Sequence, residues 1–575
     1  MKVLFLHVDF IKFKPLKKAL KSVEELPEKD KKEKEVREAL VVMTAVEKQD
    51  SDTKKIVAKL VENVKDIAKQ VNAEKIVFYP YAHLSNNLAT PEHAVEVMNE
   101  AEKELKKNFD VIKAPFGYYK ELELKVKGHP LSELSREIKI DSDGKIVEDE
   151  IPRDELLKKM TKVKMSAPKG IKGLKSNVEL GRDLDLYIVS EIVGSGLPLF
   201  TPKGATIKRE IERFITDEEL KRGYLYTSTP LMAKKDLYMV SGHWQHYKEN
   251  MFVLNVGDET FALRPMTCPF QFILYKRKPR SYKDLPLKYA EISTLFRNEK
   301  SGELRGLTRV RQFTLSDAHL ICRPDQLEEE FEGVLNLIKF VMEKLGIKDI
   351  WYRFSKWDPK DKEKYIDNPK MWESSQKMMK KILDKSKIKY IEAEGEAAFY
   401  GPKLDLQYKD VYGKEDTLIT VQIDMALPEK FDMSYKDKDN SEKRPVVIHR
   451  SSSGATERVI AYLLEKNQGA LPVWLSPVQV KIINFTDRNT DSCEKFAKEL
   501  ENNNIRIERD FRQISVPAKI KDAELMKIPY IIVIGDKEKE QDTLAVRKRG
   551  EGKPKFGIKK ETFIKEILDE IKNKI

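Results

Sequence analysis

Two strand-like runs between Phe261 and Cys322, joined by a short loop, constrain this chain more than any other stretch. The first ends in AEISTLFRNE (residues 290–299), and the second reads TRVRQFTLSDAHLIC from Thr308. The loop between them holds Gly302 and Gly306 among charges, which suits a turn. Side chains alternate along a strand, so Arg309, Arg311, Phe313, Leu315, Asp317 and His319 are predicted on one face. Arg297 and Glu299, two residues apart, are predicted to share a face in the same way. Such a face is either a binding surface or a solvated hairpin in a basic protein.

With 575 residues, several domains are expected. The net charge of +12 and pI near 9.0 fit a polyanionic partner, although a lysine-rich composition alone produces the same balance. Cys268, Cys322 and Cys493 lie far apart and suggest no disulfide framework. No run of about 18 apolar residues exists to span a bilayer. The opening MKVLFLHVDF carries His7 and Asp9 within its apolar run and lacks the form of a signal peptide. A soluble, cytoplasmic chain without membrane contact is expected.

Residues 1–138 read as an α/β module. Strands are predicted over 3–10, 39–46 and 75–79, and helices over 53–71 and 91–108, the first from Ile56, Leu60, Val64, Ile67 and Val71 at helical spacing. Residues 139–179 are rich in Lys, Glu and Asp and read as a linker. Residues 180–471 form a second module, with a helix in KGATIKREIERFI and a strand in YLYTSTPLMA ending at Pro230. His243 and His246 stand at helical i, i+3 spacing and are read as packing residues, since no third metal ligand lies nearby. From residue 472 to 575, short strands alternate with helices as in a small α/β domain.

Cys268, His319 and His449 are the soft and borderline donors that zinc prefers. Their wide spacing is uninformative, but three protein ligands would leave a coordination position open for a small molecule. Cys322 lies an odd number of residues from His319, so an unbroken strand points it to the opposite face, into the core.

FRNE followed by a loop and Arg309-x-x-x-Phe313 resembles motif 2 of the class II aminoacyl-tRNA synthetases. GATER at Gly454–Arg458 resembles motif 3, and Pro230 falls where motif 1 builds a dimer interface. PMTCP around Cys268, SDAH at His319 and VVIHR at His449 are similar to the threonyl-tRNA synthetases. YPYAHLS, APFGYYK and KGHPLSELSR resemble the editing domain of the archaeal type, related to the D-aminoacyl-tRNA deacylases. The implied fold is a deacylase-like α/β domain (1–138), a linker (139–179), an antiparallel-sheet catalytic core (180–471) and an α/β anticodon-binding domain (472–575).

The resemblance also implies partners and roles. One Zn²⁺ per chain, on Cys268, His319 and His449, would hold the amino and hydroxyl groups of L-threonine, with Asp317 and Tyr400 on the ammonium. Arg297 would meet the α-phosphate of ATP, Glu299 the adenine amino group, and Arg309 and Arg458 the outer phosphates beside Mg²⁺. Phe313 and the plane of Arg458 would sandwich adenine, and Lys403 and Gln422 complete the set. The family often carries a polar side chain where Leu315 stands. Valine lacks the hydroxyl, and a site built for a polar group rejects an analogue without it by roughly 10⁴–10⁵-fold. Serine lacks only a methyl, worth about 1–3 kcal/mol, so it leaks through. His83, Lys120 and Glu133 would then hydrolyse Ser-tRNA(Thr). Arg512, Gln513, Lys521, Glu538 and Arg547 match positions that read the anticodon of tRNA(Thr); Gln513 and Lys521 stand where bacterial members carry Asn and Arg. A homodimer is implied. The contrasting reading is a non-catalytic tRNA-binding paralogue, which would be expected to lose a motif arginine or a metal ligand.

Overall fold

The computed structural model describes residues 1–138 apart from 21, 22, 24, 86 and 130, then residues 157 and 160, and all of 170–575. Most of the expected linker therefore lies outside the described residues. The chain divides into two compact units, Met1–Arg153 and Asp154–Ile575. No helix among the described residues is long and apolar enough to cross a membrane.

The first unit is a six-stranded mixed sheet. Its elements are β1 (Lys2–Lys18), β2 (Lys34–Ala45), α1 (Thr53–Val71), β3 (Lys75–Pro80), α2 (Pro91–Leu105), β4 (Asp110–Lys113), β5 (Tyr118–Val126) and β6 (Glu133–Glu137). The order is β4-β3-β2-β1-β5, with β6 also on β1. The helix expected over 53–71 forms with those bounds: the Asp52 side chain accepts from the Lys55 amide, and Asn72 ends it in the left-handed conformation. Val3, Phe5, Leu40 and Val42 pack against α1 and α2, while Leu6, Val8, Ile11, Phe13 and Tyr79 cluster on the opposite face. β1 runs well past the expected end at Phe10. A register shift between Val8 and Phe10 puts Val8 and Ile11 on one face and hides the continued alternation.

In the second unit, α3 (Asn177–Asp183) starts within the last residues of the expected linker and runs past its end at 179; Ser176 and Glu179 form its capping box. There follow α4 (Pro202–Leu220), β7 (Leu225–Tyr226), α5 (Cys268–Lys276), β8 (Leu287–Phe296), β9 (Gln312–Cys322), α6 (Leu327–Lys344), β10 (Trp351–Ser355), β11 (Tyr390–Ala393), β12 (Lys403–Lys409), β13 (Glu415–Asp424), β14 (Val446–Ala455) and α7 (Thr456–Asn467). The strands form one sheet in the order β11-β10-β12-β13-β14-β9-β8-β7, antiparallel except at its two edges. Helices α4, α6 and α7 share one apolar core with a face of this sheet, and the other face bears the site. β7 is only two residues long, so Pro230 lies beyond it.

Arg297, Glu299, Arg309 and Arg311 are not in strands, contrary to expectation. β8 stops at Phe296 and β9 starts at Gln312. Gly306, at φ +49°, turns the loop, and Arg305 pairs with Arg309 in an isolated bridge.

The C-terminal part holds β15 (Val480–Asn484), α8 (Thr490–Asn502), β16 (Ile507–Asp510), α9 (Val516–Leu525), β17 (Tyr530–Ile534), β18 (Thr543–Lys548), β19 (Lys555–Lys559) and α10 (Lys560–Asn573). The sheet order is β16-β15-β17-β18-β19, the first three strands parallel. α8 and α10 pack on one face and α9 on the other. This part rests on α4: Arg506 lies 3.5 Å from Glu210, and the Lys574 ammonium sits over the rings of Trp474 (4.7 Å) and Phe214 (5.7 Å).

Candidate functional site

A cleft of about 950 Å³ opens over the free face of the eight-stranded sheet. Its floor is a row of directly opposed residues: Lys403 pairs with Gln422, Gln422 with His449, and His449 with His319. Opposed residues share a face, so four strands deliver these side chains to one side.

Cys268, His319 and His449 come together there, all buried. One donor atom from each lies within 4.8 Å of the others. Cys268 opens α5, and the imidazoles stand 4.6 Å apart edge to face. Gln271 Oε1 lies 2.6 Å from His319 Nδ1, and Asp424 Oδ2 lies 2.7 Å from His449 Nε2. As acceptors they hold the proton on those nitrogens, leaving His319 Nε2 and His449 Nδ1 with free lone pairs. Burial pushes the Cys268 thiol pKa up and that of His319 down. A sulfur and two imidazoles with fixed tautomers suit Zn²⁺. Sequence reading missed both supports, although Gln271 stands three residues after Cys268 on one helix face and Asp424 two after Gln422 in its strand. Cys322 is buried in the core behind the sheet, as expected.

The arginines surround the rest of the cleft. The Arg297 guanidinium sits 5.0 Å from the centre of the Phe313 ring, and its Nε is buried without a hydrogen-bond partner. Arg309 Nε donates to Glu299 at 2.8 Å and its Nη2 lies 3.3 Å from Glu303. Arg458 Nε donates to the Thr308 carbonyl at 3.0 Å and its Nη1 donates to the Thr417 carbonyl. The cation over Phe313 is thus Arg297. Arg311 leaves the expected face altogether and donates to the carbonyls of Glu299 and Ser195. Glu457, beside Arg458, accepts from the Thr314 amide at 2.7 Å and from Lys208 of α4 at 2.5 Å. It clamps the start of β9 to the start of α7. Gly454, at φ +86°, has no room for a side chain, since a Cβ would stand 2.0 Å from the Leu418 carbonyl oxygen.

At the metal-ligand end, burial raises the pKa of the Asp317 carboxyl. The Tyr400 hydroxyl donates to Gln422 Oε1, and its ring lies 5.0 Å from that of His449. Lys403 Nζ is 3.2 Å from Asp405. His243 and His246 border this cleft and pack against the Phe399 ring at 5.1 and 5.2 Å. His243 is buried, bonds Ser241 Oγ through Nδ1 at 2.8 Å, and has its pKa lowered by burial to about 3. Leu315 also borders the cleft.

In the first unit, Lys120 Nζ donates to the carbonyls of Pro115 (2.9 Å) and Tyr118 (3.1 Å) and lies 5.0 Å from the Tyr79 ring centre. Burial lowers its pKa to about 8. Tyr79, Tyr81 and His83 form a run of rings spaced 6.3 and 5.5 Å apart, which joins His83 to Lys120. Glu133 is exposed on β6 opposite Leu6.

In the C-terminal sheet, Arg512 is exposed and ion-paired with Asp510 and Asp522, each at 2.7 Å. Gln513 donates to Asp487 at 2.7 Å, and Glu538 accepts from the Gly535 amide at 3.0 Å. Both lie at the carboxyl ends of the parallel strands. Lys521 is exposed on α9, and Arg547 is half-buried on β18 opposite Ile531.

Three family descriptions match in chain order: the archaea-specific editing domain of threonyl-tRNA synthetase (residues 1–138), the tRNA synthetase class II core domain (G, H, P, S and T; 252–467) and an anticodon binding domain (479–571). The threonine–tRNA ligase of Clostridium botulinum is 56% identical over 400 residues, which is 69% of this chain and 62% of that protein. That of Clostridium perfringens is 53% identical over 402 residues, with the same shares. The chain thus spans about three fifths of the length of these relatives. The crystal structure of the RNA binding domain of threonyl-tRNA synthetase from Cryptosporidium parvum superposes with a TM-score of 0.66 at 31% identity, over 69% of this chain and 98% of that one. With an archaea-type editing domain, a class II core and an anticodon-binding domain in succession, the chain belongs to the threonyl-tRNA synthetase family.

Proposed function

We propose that this chain is a threonine–tRNA ligase with a hydrolytic proofreading domain. In the first step, the threonine carboxylate attacks the α-phosphorus of ATP, breaks the bond to the β-phosphate oxygen and releases pyrophosphate. In the second, a terminal ribose hydroxyl of tRNA(Thr) attacks the acyl carbon and AMP departs. The observation that carries this reading is one cleft holding a buried Cys-His-His donor set beside Asp317 and Arg297, whose buried Nε has no hydrogen-bond partner.

Residue roles follow from charge and position. Arg297 would neutralise the α-phosphate as negative charge grows there. Arg309 and Arg458 would bind the outer phosphates together with Mg²⁺, Arg309 first leaving Glu299 and Glu303. Glu299, once released, would accept from the adenine amino group, with Phe313 stacked on the ring. Asp317 and Tyr400 would orient the threonine ammonium, and Lys403 and Gln422 would flank the reacting carboxylate. Bound Zn²⁺, held by Cys268, His319 and His449, supplies Lewis-acid recognition of the amino and hydroxyl groups. No protein nucleophile is needed, because positioning and electrostatics suffice.

His83, Lys120 and Glu133 would clear Ser-tRNA(Thr), with Lys120 holding the attacking water or polarising the ester. Arg512, Gln513, Lys521, Glu538 and Arg547 would read the anticodon. A homodimer is supported by the open sheet edge at β7 and the exposed apolar side chains of Leu225, Leu231 and Met232 around Pro230. ATP–pyrophosphate exchange with threonine, serine and valine tests the whole proposal. Threonine and, more weakly, serine should support exchange, whereas valine should not. Absence of exchange with all three would favour a non-catalytic tRNA-binding protein.

A further inference from the structure

Isolated exposed hydrophobic residues are ordinary, and two phenylalanines of the C-terminal sheet stand out in water: Phe556, 68% exposed, and Phe485, 60% exposed. Phe556 lies on the edge strand β19. Phe485 directly follows β15, the strand between its two parallel neighbours, at their shared carboxyl end. In open α/β sheets that is where ligands sit.

The surroundings of Phe485 are rigid and polar. Its amide donates to the Ile534 carbonyl at 3.0 Å. The preceding Asn484 is held by the buried Lys519 ammonium, 2.7 Å from its Oδ1. Bare backbone at Gly535 backs the base of the side chain: a Cβ there would lie 3.5 Å from Phe485 Cβ. Gln513, bonded to Asp487, ties the loop after β16 to the loop after β15. Arg488 reaches Asp536 at 3.2 Å across the same edge. An aromatic ring on a hydrogen-bonded backbone, open to solvent on an edge that also carries amide and guanidinium groups, matches an unstacked nucleobase in chemistry. The base's π face would cover the ring while its edges meet polar groups.

We propose that Phe485 is a stacking platform for one base of the anticodon loop. The proposal rests on the reading of this sheet edge as an RNA-binding face and adds to it the group that supplies sequence-tolerant affinity, whereas Arg512 and Gln513 supply polar contacts. Lost base–aromatic stacking weakens binding by roughly 5- to 150-fold. The test measures the Kd of a tRNA(Thr) transcript for the full-length protein and its Phe485→Leu, Phe485→Tyr and Phe556→Leu variants, with Arg512→Ala and Gln513→Ala alongside. A second readout is the fluorescence of 2-aminopurine placed in turn at each anticodon position.

The expected result is weaker binding by Phe485→Leu, near-native binding by Phe485→Tyr and Phe556→Leu, and unchanged melting temperatures. One 2-aminopurine position should be quenched by the native protein and not by Phe485→Leu. If Arg512→Ala and Gln513→Ala weaken binding while Phe485→Leu does not, the platform is overturned and the RNA-binding edge stands. If none of these variants weakens binding, the edge itself is misread and the proposal falls with it.

Discussion

Replacing Arg297 by alanine should separate catalysis from stability. Its guanidinium packs on Phe313 at 5.0 Å, yet its Nε is buried without a partner. An unsatisfied buried donor costs about 1–3 kcal/mol. The cation–π contact returns about 0.5–2 kcal/mol. These nearly cancel, so Arg297→Ala should leave the unfolding free energy within about 1 kcal/mol of wild type. Catalysis should respond very differently. Losing a single oxyanion-type donor slows reactions by about 10²–10³-fold. Arg297 would bring a charge as well as a fork of donors, so exchange should fall by at least about 10³-fold. Arg297→Lys keeps the charge without the fork and should fall between the two. The assays are threonine-dependent ATP–pyrophosphate exchange and denaturant unfolding of the same preparations. Exchange within about fivefold of wild type would refute the argument, as would a variant that loses activity only because it unfolds.

Metal analysis of the purified chain should find one zinc per protomer, and Cys268→Ala should lose both the metal and threonine activation; full activation by zinc-free protein would sink the assignment. Burial lowers the Lys120 pKa to about 8, so the amine sheds its proton as pH rises through that value, well below the ordinary lysine range. If Lys120 holds and deprotonates the water, Ser-tRNA hydrolysis should climb to a plateau above about pH 8, and Lys120→Met should abolish that inflection. A wild-type profile flat between pH 7 and 9 would contradict this role. Placing a charge at Leu225 or Met232, both about half exposed beside Pro230, should dissociate the homodimer; light scattering of Leu225→Asp showing an unchanged dimer would exclude this edge as the interface.

Local signals were strong where one element carried its own information. The helix over 53–71 had apolar periodicity and a capping residue, and it formed with those bounds. Cys322 could be turned into the core by parity alone. The ends of β8 and β9 were not legible, because alternation of side chains looks the same in a strand and in an extended loop. Only the turn at Gly306 and the bridge between Arg305 and Arg309 decide that the arginines leave the strands. β1 was cut short for a related reason, a bulge that breaks the phase of alternation without ending the pairing. In the cleft, the Cys-His-His set was readable by residue type, whereas Asp424 and Gln271 reveal their part only once the strands and α5 are adjacent. The partners that His243 packs against, Phe399 and Tyr400, lie more than a hundred residues away in the chain and could not be named from the sequence.

Helix α4 acts as a common axle. Near its middle, Glu210 and Phe214 bear the C-terminal sheet domain through Arg506 and Lys574. Two residues before Glu210, Lys208 grips Thr314 and Glu457, at the thresholds of β9 and α7. A rise of about 1.5 Å per residue puts Lys208 only about 3 Å from Glu210 and about 9 Å from Phe214 along the helix. A tilt of the C-terminal domain therefore has little slack: it must either break the Arg506 and Lys574 contacts or pull on the residue next to Phe313 and the residue next to Arg458. The part that would grip the anticodon and the part that would grip ATP are geared together by two turns of one helix.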